Sequence, residues 1–337
     1  MGIGIQPTTQ KALMRAAVAE SYGSAGEVME IKEIEKPIPG DKEVVIRVRA
    51  AGVDPSVWHL MTGTPYLVRL MGFGLRRPKH TIVGSDLAGV VEAIGAKVSN
   101  LEPGDAVFGI GRGSFAEYAC AKANKVAPMP SNLSFEQAAA VALSGTTALQ
   151  GLRDVGKIEA GQKVLIIGAG GGVGTFAVQI ASAMGAEVTG VCSTAKTDLV
   201  RSIGADHVID YKHEDFVDGD IRYDLILDTA GGRPLAHLRR ALTGRGTLVL
   251  VGGEGGGRWT GGIGRAFRAL VLSPFVAHNL KPMFATERRE DLLVLKDLIE
   301  AGKVAPVIDR TYPLIETRMA MDEVKKAQAR GKVIITI

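Results

Sequence analysis

The stretch that most constrains this chain is an apolar strand running without a break into a glycine-rich turn and then a helix. Val164-Leu165-Ile166-Ile167 leads directly into Gly168-Ala169-Gly170-Gly171-Gly172-Val173-Gly174. Beyond it, Val173, Phe176, Ala177, Ile180, Ala181 and Met184 recur at the spacing of one helical face. Glycines let a backbone approach a diphosphate closely, and a helix N-terminus meets it with free N–H groups and partial positive charge. A lone glycine motif is a weak signal, but strand before, helix after and further strand–helix units downstream make it a dinucleotide site. Gly170, Gly171, Gly172, Val173 and Gly174 are therefore expected to hold a diphosphate. Gly252, just past the apolar run Thr247–Val251, is counted among the same contacts.

The surrounding rhythm is that of a parallel sheet. Nearly continuous apolar strands at Lys163–Ile167, Glu187–Cys192, His207–Tyr211, Tyr223–Thr229 and Thr247–Val251 alternate with helical stretches at Thr175–Met184, Thr197–Ile203 and Pro234–Leu242. Strands buried on both faces read this way, and the alternation predicts a doubly wound sheet. Ser134 and Gln137 form a capping-box pattern for a helix running through Ala138–Leu143. Residues 14–130 read differently: short apolar runs such as Val44–Val48, Leu87–Val91 and Ala106–Phe108 lie between Gly/Pro turns, as in a mainly antiparallel, barrel-like unit. After about residue 286 come a helix at Leu292–Ala301, closed by Gly302, and strands at Val307–Tyr312 and Lys332–Ile337. This tail is expected to rejoin the first unit.

The end of the second strand addresses which dinucleotide. An NAD site places Asp or Glu about 20 residues beyond the glycines, to bond a ribose hydroxyl. Here the chain reads Val191-Cys192-Ser193-Thr194-Ala195-Lys196. Without a carboxylate to repel it, a 2′-phosphate is welcomed by two hydroxyls and a lysine. Ser193, Thr194 and Lys196 are thus expected at that phosphate, although a lysine there also reads as simply solvated. Tyr211 covers the adenine or reaches the same phosphate. NADP(H) is the expected cofactor.

Composition removes other classes. The 337 residues carry a net charge of +4 with no long basic block, unlike a nucleic-acid track with its clustered stripe. Two cysteines, Cys120 and Cys192, argue against a disulfide framework and for a reducing, cytoplasmic setting. No apolar run approaches the ~20 residues a transmembrane helix needs. Residues 1–13 show no secretory pattern and precede a more conventional opening at Met14, so they are expected to be a disordered extension.

With these residues in hand, the chain resembles the medium-chain dehydrogenase/reductase superfamily, in its zinc-independent, quinone-oxidoreductase-like branch. The likeness spans residues 14–337 and rests on Gly40–Val44, Gly84–Val91, Pro103–Gly109, Gly113–Tyr118, Ser144–Ala148, the glycine motif, Gly204-Ala205-Asp206 and Gly331–Ile335. It implies a GroES-like, β-barrel-type catalytic domain (14–131 plus 286–337) interrupted by a Rossmann domain (132–285). Zinc-binding relatives carry cysteine where this chain has Asp54, and Gly-His-Glu where it has Gly84-Ser85-Asp86. With two cysteines, and His59 and His80 reading as surface or packing residues, no metal is expected. Zinc-free relatives often read Asn-Pro-x-Asp where this chain has Asp54-Pro55-Ser56-Val57. Asp54 is a proton relay or a turn-capping residue, and Thr146 orients the nicotinamide or packs within its helix.

Hydride transfer needs no protein nucleophile, because the cofactor carries the chemistry. Apolar carbonyl compounds, enones or quinones are the expected substrates. Thr64–Phe73, with the basic Arg76-Arg77-Pro78-Lys79 beside it, and Trp259–Phe275 supply apolar side chains that either close over such a substrate or form a homodimer interface. A nucleotide-bound interaction protein with little turnover, and a zinc alcohol dehydrogenase, are the competing readings.

Overall fold

A computed structural model of the chain describes residues 12–252 and 257–337. The expected extension at 1–13 therefore lies outside the described residues up to position 11. Leu13 already opens a strand, Leu13–Ala19, paired antiparallel with Met29–Glu35.

Two larger sheets organise the chain. The first has seven strands, and its centre is the long strand Glu43–Val53. That strand pairs antiparallel with Asp86–Ile94, Tyr118–Lys122 and the terminal Lys332–Thr336. Ala106–Ile110 and Val126–Pro128 extend the sheet beyond Asp86–Ile94. Ile308–Pro313 adds a parallel pairing, alongside the last strand. Val44, Ile46, Leu87, Val107, Val333 and Ile335 pack its interior, inaccessible to water.

The second sheet has six parallel strands ordered His207–Asp210, Glu187–Cys192, Lys163–Ile167, Tyr223–Asp228, Leu242–Leu250 and Asn279–Pro282. The order reverses beside Lys163–Ile167, and ligands of such sheets bind outside the carboxyl ends at that switch point. Five of the strands match the apolar runs. The sixth, Asn279–Pro282, escaped because four residues ending in proline carry no periodicity.

The Ser134 box forms as expected. The Gln137 amide donates to Ser134 Oγ at 3.3 Å, while Gln137 Oε1 accepts from the Ser134 amide at 3.0 Å. The helix it starts is short, however. Phe135–Ala139 ends before Leu143, and a separate helix, Ala142–Leu149, follows. The Asp86 carboxylate accepts the Leu143 N–H at 3.2 Å, so an acid from the other sheet serves the new helix start.

Candidate functional site

The glycine turn is shaped by contacts that exclude side chains. Gly168 sits at φ +85, and a Cβ on Gly174 would lie 2.1 Å from the Gly168 carbonyl oxygen. Strand and helix can therefore approach only as glycines. The Gly171 N–H donates to the Gly168 carbonyl at 3.0 Å, and the helix Gly172–Ala183 starts immediately after. Its first amides, at Gly172, Val173 and Gly174, have no preceding helical turn to bond. The turn leaves a cradle of backbone donors without side chains, which fits a diphosphate.

Lys196 departs from its expected place. Its alkyl chain lies over Gly170, where a Cβ would meet Cδ at 2.7 Å, and its ammonium donates to the Ala329 carbonyl at 2.5 Å. Burial lowers its pKa, partly offset by Asp309 and Cys192. The lysine is thus neither a solvated surface residue nor already turned outward as an anion ligand. Ser193 and Thr194 begin the turn beside it. Asp210, in register with Cys192 on the neighbouring strand, is an acid that reading along one strand overlooked. Its carboxylate is held below the usual range by the Thr194 hydroxyl, against burial, and by the Lys212 amide at 3.0 Å. It is occupied by its own turn. Tyr211 follows it, half exposed.

The catalytic-side residues meet in a buried cluster. Val333 pairs with Val53, so the antiparallel register sets Lys332 opposite Asp54, one step beyond. The Lys332 ammonium donates to Asp54 Oδ1, and lies 3.4 Å from Asp86 Oδ2 and 3.3 Å from Ser144 Oγ. Ser144 also donates to Asp54 Oδ1 at 3.3 Å. All four residues are at most 4% exposed. Asp54 occupies the cap position of the helix Pro55–Thr62, but its side chain makes no capping bond. Asp54 is thus the N-cap residue by position, while its carboxylate bonds the buried cation and not the helix amides.

Two buried carboxyls beside one ammonium do not both ionise readily. Burial, then the neighbouring Asp54 charge, pushes the Asp86 carboxyl well above its ordinary range, against the pull of Lys332. Burial disfavours the Lys332 ammonium, but Asp54 and Asp86 outweigh it and its pKa is raised. Asp86 is therefore the carboxyl of this cluster that favours its protonated form. The cluster also adjoins the turn, because a Cβ on Gly172 would meet Lys332 Cδ at 3.1 Å and Ser144 Oγ at 3.2 Å.

Thr146 shares its helix with Ser144. Its hydroxyl donates within its own helix, to the Ala142 carbonyl at 2.6 Å, and it is buried. Of the two hydroxyls, Ser144 is the one that joins the polar cluster. Sequence reasoning missed Ser144 and Lys332, because only tertiary pairing distinguishes a strand-opening lysine from a solvated one.

A cavity of about 780 Å³ is lined by Trp58, Leu60, Tyr66, Phe73, Met283 and Phe284 among others. Leu250 and Gly252 also line it, so it opens at the carboxyl end of a nucleotide-sheet strand. Segments from both expected apolar stretches close it. The Tyr66 N–H donates to the Arg258 carbonyl at 2.8 Å and the Leu67 N–H to the Trp259 carbonyl at 3.1 Å. The Tyr66 and Trp259 rings meet edge-on at 5.5 Å. Arg265 in the wall is ion-paired with the buried Asp228. Among the described residues, no three His, Cys, Asp or Glu side chains converge to hold a metal ion.

A diphosphate cradle at a sheet switch point, with an apolar cleft at the carboxyl end of another strand of the same sheet, defines a two-lobed nicotinamide-nucleotide oxidoreductase. Residues 40–131 match the alcohol dehydrogenase GroES-like domain family and residues 203–335 the zinc-binding dehydrogenase family. Quinone oxidoreductase of Sus scrofa is 30% identical, covering 98% of this chain and 99% of that protein. The solved quinone oxidoreductase of Coxiella burnetii superposes with a TM-score of 0.85 at 25% identity, over 97% of this chain and all of that one. A mycobacterial protein solved in complex with NADPH gives 0.82 at 25% identity, over 96% and 100%. The chain belongs to the medium-chain dehydrogenase/reductase superfamily, in its quinone-oxidoreductase-like branch, and is an NAD(P)H-dependent oxidoreductase.

Proposed function

We propose that the protein uses NADPH to reduce small apolar carbonyl compounds, enones or quinones without a metal ion. The observation that carries this reading is the apolar 780 Å³ cavity sharing Leu250 and Gly252 with the carboxyl end of the nucleotide sheet. Residues 132–285 act as the nucleotide lobe, and 14–131 with 286–337 as the substrate lobe. Gly170–Gly174 hold the diphosphate, while Ser193, Thr194 and Tyr211 flank the adenosine end. Lys196 exchanges its Ala329 carbonyl for the 2′-phosphate. The bound nicotinamide supplies the hydride.

Reduction of a carbonyl to an alcohol takes one hydride at carbon and one proton at oxygen. The buried cluster holds such a proton on Asp86, next to Asp54. Its neighbours in sequence face both cavities: Ser56 lines the large one and Ser85 a smaller one beside it. Asp54 Oδ2 is buried without a partner among the described residues, open to a proton from Asp86. Asp54 is thus the relay, with Ser144 and Lys332 fixing it. The same Lys332 puts a fixed positive charge beside Asp54 and Asp86, which supports the metal-free reading.

A homodimer is part of this proposal. Phe267, Leu270, Val271 and Phe275 are exposed, beside Asn279–Pro282, which ends the sheet among the described residues. Reducing, cytoplasmic surroundings suit the two buried thiols. The test is NADPH consumption across a panel of enones, aldehydes and quinones. Turnover of apolar members is the expected result, and absence of turnover throughout would contradict the reading.

A further inference from the structure

A second cavity of about 280 Å³ adjoins the first, and Leu60 and Phe73 line both. Its interior is apolar, with Val57, Ile82 and Ile110 in the wall. Its rim is cationic. Lys79, Arg112, Lys122 and Lys125 line it against a single carboxylate, Glu287. Glu287 is ion-paired with Lys125, and Arg112 reaches Glu43 at 2.7 Å. Lys79 and Lys122 have no carboxylate partner among the described residues. The positive field is felt locally: His80, also on the rim, has its pKa lowered by burial first and then by Arg112 and Lys79.

We propose that this cavity takes the tail of the substrate, and that the tail ends in an anionic group, a carboxylate or a phosphate monoester. The reactive carbonyl lies in the large cavity, an apolar stem passes Leu60 and Phe73, and the anion meets Lys79 and Lys122. This rests on the carbonyl-reductase reading above and narrows its substrate class. The lysines are solvated, so their pull is modest and screened by salt. Together they lower KM roughly three- to tenfold, on the scale of exposed ion pairs. The contact is equally present before and during hydride transfer, so kcat is not its readout.

Three matched substrates test it: a medium-chain 4-oxo-2-alkenoic acid, its methyl ester, and the phosphate monoester of the corresponding hydroxy-enone. The wild-type protein should show lower KM for one or both anions than for the ester. That preference should shrink toward unity in Lys79→Gln/Lys122→Gln and in high salt. Turnover with equal KM values, or a preference that survives both changes, overturns the tail assignment while leaving the reductase reading intact. A binding arm needs no turnover. Octanoate and octyl phosphate are compared with octanol through tryptophan fluorescence, since Trp58 lines the large cavity. Tighter binding of either anion, lost in the double variant, supports the assignment, and equal binding of all three overturns it.

Discussion

The Lys332 ammonium rests on the Asp54 carboxylate inside the protein, with side-chain exposures of 2% and 6%. Removing one partner of a buried ion pair costs about 3–5 kcal/mol when the other charge is left alone. Here it is not left alone, because Asp86 lies 3.4 Å from the same ammonium and can ionise in place of Asp54. Asp54→Asn should therefore destabilise the protein much less than that figure. Asp54→Asn/Asp86→Asn should show the full loss, well beyond the sum of the single changes. Denaturant unfolding of the three variants measures this, and additive single effects would contradict a shared cluster.

The raised Asp86 pKa gives a pH dependence whose sign is fixed. A carboxyl that stays protonated in the folded state stabilises fully below its unfolded pKa, about 3.9. That contribution is lost as pH rises from there toward the folded pKa. Asp86→Asn mimics the protonated acid, so its stability relative to wild type should improve from about pH 4 upward. A flat difference between the two proteins across pH 4–8 would mean Asp86 ionises normally.

Much of this architecture is legible in the residues. The continuous apolar runs at Lys163–Ile167 and Glu187–Cys192 announce their strands because both faces are buried. Asn279–Pro282 is silent, since its place at the sheet edge comes from what precedes it in space. The cofactor turn follows from local spacing. The polar cluster does not, because Asp54, Asp86, Ser144 and Lys332 come from four separate elements spread over 278 residues. Lys196 illustrates the intermediate case: its position was readable, but its bond to Ala329 depends on the chain returning from the other lobe.

Thr146 and Ser144 separate the two hydroxyls of one helix. Thr146→Val removes a bond made within the helix and should leave kcat within about threefold of wild type, a change near the lower end of one neutral hydrogen bond. Ser144→Ala removes a donor to Asp54 and should shift the kcat–pH profile. An order-of-magnitude fall in kcat for Thr146→Val, with stability unchanged, would instead support the nicotinamide-orienting role for Thr146.

Metal content checks the metal-free reading. Purified protein should carry well under one equivalent of zinc per chain, and chelators should leave turnover intact. One tightly held zinc per chain would displace Lys332 from its assigned role.

The diphosphate site is tested at Gly172. A carboxylate there would sit beside Lys332 and Ser144 as well as against the bound diphosphate. Gly172→Asp should abolish NADPH binding, read by nucleotide fluorescence, while circular dichroism remains that of a folded chain. Unaltered NADPH affinity would place the nucleotide elsewhere.

Cofactor preference tests the central claim most directly. A charge-assisted hydrogen bond contributes roughly 1.5–3 kcal/mol, or about ten- to hundredfold in affinity. Part of this is offset when Lys196 releases the Ala329 carbonyl, so the lower end of that range is expected. The measurement is kcat/KM for NADPH and NADH in wild type and Lys196→Ala. Wild type should favour NADPH by at least about tenfold, and the variant should lose most of that preference with kcat nearly unchanged. Equal use of both cofactors by wild type, or a ratio that Lys196→Ala leaves untouched, would contradict the account.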